Sequence, residues 1–341
     1  MFLASKGYNP FANQNSTPFQ VQGSSNSSLQ FLFSPEEDTS SLSFCPGGPN
    51  AEPILCLTDW SGKINFLRLK DPNTVIFNLI YNAPILCHDW LNNESIATGS
   101  CDNIVSGWDL RSQKRFSLAS HSQPVKVVKW SAELVDTRSS SVSKELNLEQ
   151  KIFDADVKGN LLAVATSNRH IYVYDLRNMS GPLLQRYSIL CHQSTCIAWS
   201  PTLEGYAVGG IDGRVGFQLV NAPKGSGSVL KAHRDDGRFK VGTNKSYACN
   251  DVKFHPATGT LATIGSNGYI HFWNLVSQKG TKHFEMQRNR DGSPAPVNRC
   301  CFSNCGQNFA FSLSYDFSEG PRHGDVERKI YWYRVNPSDV Q

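Results

Sequence analysis

The chain has 341 residues, 39% of them hydrophobic and 11% aromatic, with a formal charge of +4 and ten cysteines. That is enough apolar material for two domains or one large all-β domain, and too little charge for wholesale nucleic-acid binding. No apolar run approaches the length of a bilayer span, and MFLASKGYNP lacks the basic-then-apolar order of a secretory signal. Ten cysteines without a CxxC in a chain this long argue against a disulfide scaffold and for a reducing, intracellular compartment.

Residues 1–28 are dominated by Ser, Asn, Gln, Gly and Phe and read as a disordered tail, because they have too few aliphatic side chains to bury. From Leu29 the pattern becomes period-2 apolar runs punctuated by Gly, Asp and Asn. LQFLFSP at 29–35 is one such strand and belongs to no triplet of its own. Triplets then follow: TSSLSFCP, ILCLTDWSG and KINFLRL in 39–69, then PILCHDWL, SIATGSCD and NIVSGWDL in 84–110. The phrase returns as IFDADV, LLAVATSN and HIYVYDL in 152–176, and as TCIAWSP, YAVGGIDG and RVGFQLV in 195–220. It closes with NDVKFHP, TLATIGSNG and YIHFWNL in 250–275 and VNRCCFSN, FAFSLSYD and KIYWYRV in 297–335. Strand triplets at a fixed period, with Trp108-Asp109 ending one third strand, signal an all-β WD-repeat β-propeller over 29–336. Links such as NTVIFNLI and KRFSLAS supply the outer strands. The last triplet has no outer strand after it, so the strand at 29–35 is expected to complete that blade and cover its edge. Residues 337–341 read as a tail.

One interval breaks the period. Third-strand ends at Asp109 and Asp175 lie 66 residues apart, and counting DTRSS as another such end divides this into 27 and 39. The first interval is short by about a dozen residues against a blade of roughly 40. HSQPVKVVKW supplies the first strand of a third blade and VDTRS the end of its third strand. The second strand, the Asp turn and most of the third strand are missing between Trp130 and Asp136. Such a loss removes roughly six inward side chains at ~1.5–3 kcal/mol each. The expectation is a defective third blade, or six full blades closed around a looped-out remnant.

Several constellations mimic catalytic or metal chemistry. Ser and Thr in second strands, Asp102 and Asp212 in turns, and His121, His192 and His233 before first strands resemble scattered triad parts. They recur blade after blade without a GxSxG elbow, as a structural polar network would. Cys191-His192-x3-Cys196 does not have zinc spacing, and GSGS at 225–228 lacks the Lys-Ser/Thr of a phosphate loop. No enzyme activity, metal, cofactor or small-molecule substrate is expected. The segment 224–245 differs: Lys224, Lys231, Arg234, Arg238, Lys240 and Lys245 against Asp235 and Asp236 leave a net +4, interleaved with Phe239 and Tyr247. This suits an acidic partner, and single-stranded RNA with weak, salt-sensitive affinity.

The stretches IDGRVGFQLVNAP (211–223), VLKAHRDDG (229–237), VKFHPATGTLATIGSNGYIHFWN (252–274) and CCFSNCGQNFAFSLSYDFSEG (300–320) closely resemble the messenger-RNA export factors among WD-repeat proteins of the nuclear pore. With gaps the likeness reaches back to Leu29, about nine-tenths of the chain. The spindle-checkpoint WD-repeat adaptor, a sister family, shares the Gly-Arg-Val and His-Arg segments but is less similar at SYDFSEG. The resemblance implies a seven-bladed ring that binds the glutamate-bearing GLEBS segment of an FG nucleoporin and supports mRNA export. It implies residence in the nucleus, at the nuclear envelope and in the cytoplasm, with spindle or checkpoint proteins as further partners. Arg214 and Arg234 fall in the matching motifs as acid-binding residues, since guanidinium forks suit carboxylates. Leu230, Lys231 and Trp273 fall there as face contacts. Leu230 stands where the family often has an aromatic, and Trp273 is followed by Asn274 rather than Asp.

Overall fold

The structure is a computed structural model of the chain. It describes residues 29–341 apart from 49–50, 72–73, 131–147, 149, 202–204, 224, 237–243, 290–291, 319 and 321–326, so the expectations for 1–28 and 131–136 lie outside the described residues. A short strand, β1 (Gln30–Phe33), precedes the first blade of β2 (Thr39–Phe44), β3 (Ile54–Asp59), β4 (Lys63–Arg68) and β5 (Val75–Ile80). The second blade is β6 (Ile85–Asn92), β7 (Ser95–Ser100), β8 (Ile104–Asp109) and β9 (Lys114–Ser120). Next come β10 (Ile152–Lys158), β11 (Leu161–Thr166), β12 (His170–Asp175) and β13 (Leu184–Tyr187), then β14 (Ser194–Trp199), β15 (Gly205–Gly210), β16 (Arg214–Leu219) and β17 (Ser228–Lys231). A hairpin of β18 (Arg234–Asp236) and β19 (Asn244–Ser246) leads into β20 (Cys249–Phe254), β21 (Leu261–Gly265), β22 (Tyr269–Asn274) and β23 (Lys279–Glu285). The last blade holds β24 (Val297–Phe302), β25 (Asn308–Leu313) and β26 (Lys329–Arg334), and β1 pairs antiparallel with β26 as its fourth strand.

Each blade is an antiparallel four-stranded sheet, and the described residues contain six of them. The seven-bladed pattern is therefore corrected to six sheets. The expected first strand of a third blade, 121–130, forms no strand, and among the described residues no strand makes a ladder with it. Alternation explains the packing. Both faces of a blade meet neighbours, so second strands such as LLAVAT and GYAVGG bury nearly every side chain. The largest cluster joins the last two blades, where Phe272, Phe284, Phe309 and Tyr333 meet edge to face; Phe272 and Phe309 lie 5.0 Å apart at 82°.

The chain end departs from the expected tail. Pro337–Val340 forms a single 3-10 turn that buries Val340 in that same aromatic cluster. The Tyr333 hydroxyl donates to the Asp339 carboxylate, and Asn274 Nδ2 donates to the Gln341 carbonyl at 2.9 Å. Removing 337–341 is expected to cost about 2–4 kcal/mol, from one buried Val and its hydrogen bonds. A urea titration that shows a lower midpoint at unchanged slope checks this; an unmoved midpoint would mean the segment contributes nothing.

Strand order also fixes which connections share an end of the ring. In an up-and-down blade the turn between second and third strands and the link from an outer strand to the next first strand emerge together. The turns at 60–62, 101–103 and 211–213, the links at 34–38 and 121–124, the residues 232–236 and 244–248, and the stretch 314–318 all lie at one end. The candidate site is built there.

Candidate functional site

The turn after YAVGG is the core of a cationic cluster. Gly213 has φ +75°, and a Cβ there would lie 2.4 Å from the His233 carbonyl, so only glycine lets the link pass so close. That approach sets Arg214, at the start of β16, directly opposite Lys231 in β17, and brings Arg234 to the same turn. Arg214 Nη1 lies 3.3 Å and Arg234 Nη1 3.8 Å from Asp212 Oδ2, and Arg234 also donates to the Asp212 carbonyl at 3.1 Å. Two guanidinium groups thus flank one buried carboxylate, with Lys231 across the ladder from Arg214. Arg214's ion pair is made within its own blade rather than between blades. Neither pair to the carboxylate is a close bidentate fork.

Leu230 and Trp273 are placed differently from the expectation. Both are buried in the cluster between the β14–β17 and β20–β23 blades, and the Trp273 indole N–H donates to Thr263 Oγ1 at 3.1 Å. In the free chain both are covered by that packing. The reason is positional, since an aromatic on the third strand points into the gap between blades wherever it recurs. Of the histidines singled out before first strands, only His233 is buried, with Nδ1 3.0 Å from Asn267 Oδ1; His121 and His192 are exposed.

A second feature at the same end escaped the sequence. Trp60, in the turn after β3, and Phe317 are both about half exposed and their rings lie 6.2 Å apart. With Tyr315, Lys126, Arg299, Asn298 and Asp316 they line a cavity of about 370 Å³ at the mouth of the central channel. Phe317 holds a left-handed φ of +57°, a strained conformation for a bulky residue that presents its ring outward. Arg299 donates to the Ser40 carbonyl at 2.7 Å and to the Asn298 carbonyl at 2.8 Å. These partners are neutral, and no ion pair to it is formed among the described residues. Burial and the neighbouring Arg299 hold the Lys126 ammonium below its usual range. Asp316 is tied to Asn250 Nδ2 at 2.9 Å and to the Ser318 amide at 3.1 Å. The only sequence hint was SYDFSEG, which holds Tyr315, Asp316 and Phe317 but says nothing of Trp60 or Arg299 lying beside them.

Deeper in the channel the first strands and the segment at Lys129 carry both signs of charge. Asp251 pairs with Lys253 at 3.0 Å, and Lys129 with Asp156 at 3.3 Å. Burial raises the Asp154 carboxyl, whereas for Lys253 the carboxylates of Asp251, Asp154 and Asp156 outweigh burial and raise the ammonium. The thiols nearby are disfavoured as thiolates, burial pushing Cys87 up to about 12. Among the described residues no three His, Cys, Asp or Glu side chains converge to hold a metal ion.

Comparison with known proteins agrees with this architecture. No family model matches the chain. It is 30% identical over 332 residues to an mRNA export factor of Xenopus tropicalis, covering 89% of this chain and 88% of that protein. It is 30% identical over 338 residues to those of Bos taurus and Mus musculus, covering 91% of this chain and 89% of theirs. The solved structure of U3-55K superposes with a TM-score of 0.60 over 92% of this chain and all of that one, at 10% identity, which bears on the fold alone. Identity at this level along nearly the whole ring places the chain in the mRNA export factor family of WD-repeat β-propellers.

Proposed function

We propose that this protein is a non-enzymatic binding platform in mRNA export, acting at the nuclear pore in exchange between nucleus and cytoplasm. The partner is a glutamate-bearing GLEBS-type segment of an FG nucleoporin, laid across the end of the ring that carries the second-to-third-strand turns. The observation that supports this is the turn at Asp212, where Arg214 and Arg234 meet one carboxylate at one end of the ring and Lys231 lies opposite Arg214 in the ladder. A carboxylate entering there gains charge-assisted hydrogen bonds from guanidinium groups already held in place, so little side-chain order is lost on binding.

Arg214→Glu is expected to weaken binding of a GLEBS peptide at least tenfold, roughly what reversing one partly buried charge at an interface costs. Isothermal titration at low and high salt measures it. Undiminished affinity would remove Arg214 from the site.

A further inference from the structure

The cavity at the channel mouth holds more hydrogen-bond donors than its own acceptors meet. Arg299 spends Nε on the Ser40 carbonyl at 2.7 Å and Nη1 on the Asn298 carbonyl at 2.8 Å. Among the described residues its Nη2 donates to nothing, and Lys126 Nζ, in the same lining, makes neither a hydrogen bond nor an ion pair. Thr39, at the start of β2, also lines the cavity; it is fully buried, and its hydroxyl has no partner. Asp316 is the one acid in the lining, and both its oxygens are engaged. Oδ2 accepts from Asn250 Nδ2 at 2.9 Å and Oδ1 from the Ser318 amide at 3.1 Å. Unmet donors in a confined wall are costly, and cations without a counter-ion more so. Three such donors at one cavity call for an anion.

The outer part of the cavity is aromatic. Trp60 is 42% and Phe317 52% exposed, and their planes are inclined at 59°. A flat ligand that stacks on one of these rings meets the other edge-on, a favoured arrangement. Tyr315 is buried 5.0 Å from the Phe317 ring and holds it from beneath. The left-handed backbone at Phe317 fits this role, since such strain persists where a residue clamps a ligand. At about 370 Å³ the cavity falls in the range of small-ligand sites, about 300–1,000 Å³.

An anion for the inner donors and a flat ring for the outer aromatics are the two halves of a nucleotide. A glutamate side chain brings the charge without the ring. A carboxylate also has two oxygens, whereas a phosphate offers three strong acceptors, one for each waiting donor.

We propose that the channel-mouth cavity binds a nucleotide, with its base against Trp60 and Phe317 and its phosphate on Arg299, Lys126 and Thr39. A free nucleotide and a unit of single-stranded RNA share this chemistry, and the test below tells them apart. Neither Arg214 nor Arg234 lines the cavity, so it is independent of the acid-binding turn at Asp212.

The probes are uridine and adenosine 5′-monophosphates and a short oligouridylate, titrated into the full chain by calorimetry at low and high salt. Saturable one-to-one binding of a nucleotide is expected. Trp60→Ala and Phe317→Asn should each weaken it at least about fivefold, the loss of one stacking surface. Asn tolerates the left-handed backbone, so the second variant keeps the local fold. Arg299→Gln should flatten the salt dependence of oligouridylate binding by about 0.7 in logarithmic slope, one phosphate contact. Arg299 also bonds to β2, and the two aromatic variants keep the test decisive if its substitution does not fold. Arg214→Glu should leave nucleotide binding unchanged, so that failure here and failure at the acid-binding turn are distinguished. Tighter binding of the strand than of the monophosphates identifies RNA as the source; equal affinities identify the free nucleotide. No saturable binding, or binding untouched by both aromatic variants, overturns the proposal. Phosphotyrosine binding more tightly than any nucleotide also overturns it, because the cavity then belongs to a protein segment. So does a glutamate-bearing peptide that needs Phe317 while nucleotides fail to bind.

Discussion

Lowering the pH from 7 to 5 is expected to weaken the fold by about 3–4 kcal/mol through two buried histidines. His88 sits wholly inside the first inter-blade gap, with Nε2 2.7 Å from Ser43 Oγ and Nδ1 3.2 Å from Thr58 Oγ1, while the Trp90 indole donates to Ser43. Burial, reinforced by the Lys129 ammonium, pushes His88 down to about 3. Burial outweighs the Asn267 hydrogen bond and pushes His233 down to about 4. Both are neutral in the folded ring at pH 5, whereas in the unfolded chain they take up protons below about 6.5. The unfolded state therefore binds more protons in this window, and stability falls as pH falls, by about 2 kcal/mol per histidine at pH 5. Asp89 and Asp154, both raised by burial, titrate in the opposite sense, so the histidine share is isolated by substitution. Urea midpoints of the parent and of His233→Gln at pH 7 and pH 5 measure it, and the variant's decline should be smaller than the parent's by about 2 kcal/mol. Equal declines in the two proteins would contradict the assignment.

Leu32→Ala is expected to cost about 2–5 kcal/mol, a large share of a typical domain's stability. Leu32 is fully buried between the last blade and the first, against Ala310 and Ile330 of one and Leu42 of the other. Its strand is the outer edge of the last blade, so a cavity there loosens the closure and not only the local packing. Other contacts cross the same seam. Asn298 Nδ2 donates to the Thr39 carbonyl at 2.8 Å, and Arg328 Nε to Asp38 Oδ1 at 3.1 Å. Chemical denaturation measures the cost; a loss below about 1 kcal/mol, the range of an ordinary surface change, would show that the ring closes without β1.

The blades were legible because their signal repeats. In LLAVATSN–HIYVYDL or TLATIGSNG–YIHFWNL, period-2 apolar runs meet an Asn or Gly turn, and each became a second and third strand with the turn where expected. What stayed hidden depends on contacts distant in sequence. Val340, in the polar run NPSDVQ, has no periodicity; its burial follows from a groove beside β22 and β23 that exists only in the folded ring. Trp273 and Leu230 lie in motifs that carry the family likeness, yet motif membership does not tell a side chain that touches a partner from one that packs beneath it. The aromatic pair at the channel mouth joins residues 60 and 317, and no local pattern predicts that meeting.

The pairing of β1 with β26 also has a temporal side. Gln30 faces Trp332, so at the ribosome's pace of about 5–20 residues per second a newly made Leu32 waits roughly 15–60 s for its neighbours in the last blade. During that interval the first blade has an uncovered flank and the ring is an open arc. A nascent chain of this kind needs either a chaperone on the waiting segment or blades that fold in order without it. Ribosome profiling with a chaperone pull-down would show which, by where along the message occupancy ends.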